Sequence, residues 1–202
     1  MANEEIQKIP PGIQEVLSKK KFGSYDIKWI KPVNDKRRGH PNYCNAYLQS
    51  DKRVKYDGKS YFFCLQASDH CLETLKKAEI GDLILLYQYL DNQSIKCFTH
   101  LVTPIGYDVV QHPYSDIEWG GRWVKVIAMT GNKAVDSIPA LTADWKRMPF
   151  SKALHNLSYQ GSAIHRISNG KNLSEKPLSD DELSILQTYI WNKFDKKNLL
   201  SL

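Results

Sequence analysis

The sequence predicts an α+β fold, a mixed β-barrel with short peripheral helices and an N-terminal extension, on three observations. Strand-patterned segments outnumber helical ones, hairpin and loop signals join most of them, and no glycine-rich Rossmann pattern introduces a parallel α/β sheet. At 202 residues the chain has room for one domain with elaborations. We divide it into an extension, 1–55, that packs on the barrel, and a main domain, 56–198.

In order along the chain, IQEVLSKK (13–20) sets Ile13, Val16 and Leu17 on one side of a short helix. YDIKWIK (25–31) alternates Tyr25, Ile27 and Trp29 against Asp26 and Lys28, a strand. Turn formers and cations fill 32–45, a basic loop, and a strand follows over 46–50. SYFFCLQA (60–67) is apolar on both faces, as a central strand must be. Ser68 or Asp69 caps a helix through 70–78, and Gly81-Asp82 turns the chain into a strand at 83–89. Turn residues 91–94 then lead into a strand at 95–103. The loop 104–121 is too long for a mere connector and precedes the strand 122–129. A helix over 150–157 and a strand over 161–168 come next. The last helix has the clearest signature: Ser179 and Glu182 at capping-box spacing, then the stripe Leu183, Leu186, Ile190 and Phe194.

Composition excludes several classes. With 42% hydrophobic and 25% charged residues the chain is globular rather than disordered. Its most apolar stretch, 80–90, is broken by Gly81, Asp82 and Gln88, so no membrane span is expected. MANEEIQKIPPG has no apolar signal region, which makes a cytoplasmic location the expectation. Twenty-eight Lys and Arg against twenty-two Asp and Glu leave +6, a balance that favours polyanions such as nucleic acid. Cys44, Cys64, Cys71 and Cys97 form no C-x-x-C pair and read as reduced thiols. His40, Cys44, His70 and Cys71 lack zinc-ligand spacing, so neither metal nor cofactor is expected.

No H-E-x-x-H, G-x-S-x-G or P-loop signature is present, which argues against an enzyme. Two alternatives stand beside a binding module. The histidines His40, His70, His100, His112, His155 and His165 would allow metal-independent RNA cleavage by general acid–base chemistry, and the C-terminal helix would suit a protein-interaction scaffold.

Nucleic acid, a partner that the positive balance favours, is held by flat side chains that stack on bases, polar groups that read base edges and cations for the phosphates. Trp119, just before Gly120-Gly121, and Tyr114, after Pro113, are the stacking candidates in the long loop. Trp29 beside the basic loop either completes a cage or packs its own core. Lys36, Arg37 and Arg38, next to Gly39, and Arg122 are the phosphate candidates.

The order of YFFCLQASD (61–69), LETLKKAEIGDLILLYQYL (72–90), GRWVKVIA (121–128) and MPFSKALHNLSYQGSAIHRIS (148–168) resembles the EVE family, a PUA-like barrel related to YTH domains. Gly81-Asp82 before a strand, and Gly161, Arg166 and Ser168 late in the chain, carry the likeness, which covers about 60–170; the first 55 residues lie outside it. The resemblance implies a module that binds DNA or RNA and accepts one base, often methylated, in an aromatic pocket. It implies that Gln66, Ser68 and Asp69, at the end of the first barrel strand, form the polar turn facing that base. A separately encoded nuclease that uses the chain for targeting is a partner such a module would suit.

Overall fold

A strand buried on both sides requires apolar residues on both faces, and the central segments of this chain have them. The computed structural model describes residues 11–33, 54–56, 60–67, 69–89, 96–111, 120–129, 138–139, 163–172 and 174–195. The strands are β1 (Ile27–Pro32), β2 (Val54–Tyr56), β3 (Tyr61–Ala67), β4 (Leu83–Tyr89), β5 (Lys96–Pro104), β6 (Val110–Gln111), β7 (Gly120–Met129), β8 (Ile138–Pro139) and β9 (His165–Arg166). They make one sheet in the order β2-β3-β7-β5-β4-β1-β9, with β6 added to β7 and β8 to β5. Only β1 and β4 run parallel among the described pairings. The α-helices among the described residues are α1 (Pro11–Lys19), α2 (Asp69–Leu75) and α3 (Asp180–Asp195). The architecture is thus α+β, with a mixed sheet and few helices.

The segment expected to be an extension supplies β1, which is flanked on both edges, by β4 and by β9. Its sequence explains this: Ile27, Trp29 and Ile30 are all buried, so both faces of the strand demand cover. α3 covers one face. Leu186, Ile190 and Phe194 pack there on Ile27, Ile30, Leu85, Leu101 and Ile127, and Gln187 Nε2 donates to the Ile27 carbonyl at 2.9 Å. The predicted cap holds, since Ser179 N–H donates to Glu182 Oε2 at 2.9 Å and Glu182 N–H to Ser179 Oγ at 3.3 Å. The Ser179 N–H first, with Asn172 and the Ser179 hydroxyl adding, holds the Glu182 carboxyl below its ordinary range.

α2 lies on the other face, where Leu75 and Ala78 join Trp29, Phe63, Leu65, Ile84, Val102 and Val126. The sheet curls toward this face. Phe63 and His100 meet edge-to-face with ring centroids 5.9 Å apart, although β7 separates their strands. On a flat sheet two inter-strand spacings of about 4.8 Å and an offset of several residues would keep them apart. Bulges supply the bend: the register skips Lys28 in β1, Thr99 in β5 and Ile127 in β7.

The helix expected over 70–78 ends at Leu75, and of the strand expected over 161–168 the described residues form His165–Arg166 followed by a 3₁₀ turn, Ile167–Asn169, while 161 and 162 lie outside them. The basic loop 32–45 beyond Val33, the strand 46–50, the turn 91–94 and the helix 150–157 lie outside the described residues.

Candidate functional site

The ladder between β3 and β7 ends at Ala67 opposite Gly120, and Gly120 also pairs with Gln111 of β6. In sequence Ser68 follows Ala67, while Gln111 and Gly120 are the two ends of the loop 112–119. The polar turn and the aromatic loop picked out from sequence therefore leave the sheet at one register position. Gly120 lets α2 approach closely there: a Cβ on it would lie 2.5 Å from Leu72 Cδ2 of α2 and 3.0 Å from Val109 Cγ1, so those side chains would have to shift. Helix, turn and loop roots converge on this end of the sheet.

α2 and the turn after it are clamped in place by buried polar bonds. Arg122, 0% exposed, donates through Nη1 to the carbonyls of Leu75 at 3.0 Å, Lys76 at 3.3 Å and Ala78 at 2.6 Å, and through Nε to Gly106 at 2.6 Å. It thereby satisfies carbonyls that a helix C-terminus leaves open. The phosphate role expected for Arg122 is corrected by this placement: the guanidinium faces the interior and caps α2. Sequence spacing could not reveal it, because an arginine at a strand start reads as exposed.

For Trp29 the core alternative holds and the cage role is corrected. At 3% exposure it is a core residue, and its Nε1–H donates to Asp82 Oδ2 at 2.8 Å. Asp82 accepts further from the Glu79 N–H at 3.0 Å and from Lys28 Nζ at 2.7 Å. Burial alone would raise the Asp82 pKa, but the bonds from Lys28, Trp29 and Glu79 outweigh it and hold the carboxyl below its ordinary range. Gly81, with φ +94°, makes the turn, and its N–H donates to Thr103 Oγ1 at 3.0 Å. The Gly-Asp pair is thus a hub that joins α2, β1, β4 and β5.

Two polar side chains lie deeper on the α2 face, in one row across the sheet. Lys31 opposes Leu86, which opposes His100. Burial lowers the Lys31 pKa to about 8, with Cys71 opposing the shift, and lowers that of His100 to about 4. His100 Nδ1 contacts Thr99 Oγ1 at 3.0 Å, while Nε2 is buried without a hydrogen-bond partner. A histidine held neutral in this way is not poised as a general acid at neutral pH, so it lends nothing to the ribonuclease alternative. The buried Cys64 thiol is pushed up to about 12.

At the edge of the sheet Arg166 of β9 pairs with Trp29 of β1, and its guanidinium carbon lies over the indole, 4.7 Å from the ring centroid. Beside it His165 Nε2 is buried without a partner, and burial, with Lys31 adding, lowers its pKa.

Gln66 is half-buried and, by strand alternation, on the side of β3 opposite Phe63, Leu65 and Ala67. Asp69 opens α2. Ser68, Tyr114, Trp119, Lys36, Arg37 and Arg38 lie outside the described residues. Among the described residues no group of three or more His, Cys, Asp or Glu side chains could hold a metal ion. No helix there is long and apolar enough to cross a membrane. The burial of Lys31 and His100 and the stack of Arg166 escaped the sequence reading, which took His100 only as one of six histidines and Arg166 only as part of the family likeness; the cross-strand pairing with Trp29 is what marks Arg166. No family model matches the chain, and comparison with curated proteins and with solved structures finds no match.

Proposed function

We propose that this chain is a nucleic-acid-binding module of the PUA-like kind, which receives one extruded, modified base at the end of the sheet where α2 begins. The observation that carries the reading is the Ala67–Gly120–Gln111 register, which roots the polar turn at Ser68 and Asp69 beside both ends of the loop bearing Tyr114 and Trp119. A base site needs this pairing of edge-reading polar groups with stacking rings. The curled α+β sheet and the +6 charge support the same reading. Lys36, Arg37 and Arg38 are assigned to the flanking phosphates; Arg122 and Trp29 are not among the ligand groups, because both are engaged in holding α2 and its turn.

Trp119→Ala tests the site. Loss of stacking should weaken binding to an oligonucleotide with a methylated base by about 1–3 kcal/mol, with the melting temperature unchanged. Unchanged affinity, or a collapse in melting temperature that marks Trp119 as core, would remove it from the pocket.

A further inference from the structure

We propose that Arg166, mounted on Trp29, is a phosphodiester-binding residue of this module. The inference rests on the nucleic-acid reading above and adds a contact outside the basic loop to which that reading assigns the phosphates. Trp29 is a fixed platform: its ring is buried, its strand is paired on both edges, and its Nε1–H is held by Asp82. Arg166 is exposed and rests over that ring at 4.7 Å, with no carboxylate partner among the described residues. The contrast with the cations nearby is informative. Lys28 is exposed but paired with Asp82, and Lys31 is buried, so among the described cations of β1 and β9 Arg166 is the one that meets water without a described acidic partner.

A guanidinium seated on an aromatic face has lost much of its rotamer freedom before any ligand arrives, while its N–H groups remain free to point outward. Its fork matches two oxygens of a phosphate, which a lysine ammonium meets only as a point charge. A guanidinium is also more weakly hydrated than an ammonium, which further favours transfer from water to a phosphate oxygen.

The test is fluorescence anisotropy of the full chain with short labelled single strands, one DNA and one RNA of the same sequence with a central 5-methylcytosine, over about 50–200 mM NaCl. Arg166→Gln should lower the slope of log affinity against log salt by about 0.7 and weaken binding about fivefold at 0.1 M salt. Arg166→Lys should restore the slope. The DNA and RNA arms show which backbone Arg166 contacts. An unchanged slope and affinity in Arg166→Gln, with or without a lower melting temperature, would overturn the assignment and leave Arg166 as a cover for the indole. Failure of the wild-type chain to bind either strand at the lowest salt would overturn the nucleic-acid reading itself, and this assignment with it.

Discussion

Arg122 shows how a single side chain decides where a helix stops. Its Nη1 gathers the Leu75, Lys76 and Ala78 carbonyls, so α2 ends at Leu75 although the spacing of Leu72, Leu75 and Ala78 would carry it further. Arg122→Met should cost about 2–4 kcal/mol in urea unfolding, since it strands those carbonyls in the interior. A Met variant as stable as wild type with weakened oligonucleotide binding would return Arg122 to the phosphates. His100 makes a prediction of the opposite kind, about pH. Its folded pKa of about 4 lies below the ordinary 6.5, so between those values the unfolded chain binds more protons and stability rises with pH. His100→Phe should remove up to about 3 kcal/mol of that dependence, all of it below about pH 6.5. Identical pH profiles for variant and wild type would contradict the burial of a neutral imidazole.

At the scale of elements, α2 and β7 meet closely at Gly120. Gly120 abuts Leu72 so closely that Gly120→Val must displace the start of the helix, whereas Gly120→Ala is absorbed if Leu72 rotates. We expect the Val variant to lose about 1–3 kcal/mol and the Ala variant less, measured by chemical denaturation. Elements with strong local signals were legible in sequence. β4 spans the 83–89 read from the turn at Gly81-Asp82, and α3 begins at the Ser179–Glu182 box. What sequence could not supply was partnership. IKWIKP reads as a strand, but that it enters the sheet parallel to β4 depends on residues far along the chain. The same limit hid the site: Arg122 reads as a surface cation until the helix end it caps is in place, and Arg166 gains its platform only through the pairing of β9 with β1.

For the molecule as a whole, the bulges at Lys28, Thr99 and Ile127 and the curl they permit give the sheet two different faces. One is sealed by the amphipathic α3. The other carries α2, clamped through Arg122 and through the Asp82 hub, and at its end gathers the roots of the polar turn and the aromatic loop. A rigid helix beside a loop root is a suitable frame for base recognition, because positioning groups on fixed elements limits the ordering that binding must impose. The central claim is that recognition resides in a base site and not in charge alone. The most direct measurement is a tryptophan-fluorescence titration of the wild-type chain with matched oligonucleotides, plain or carrying 5-methylcytosine, 5-hydroxymethylcytosine or N6-methyladenine, at low and high salt. We predict that one modification binds more tightly than its plain counterpart and that the difference persists at high salt. Binding that ignores every modification and vanishes with salt would contradict the account and reduce the protein to a basic surface.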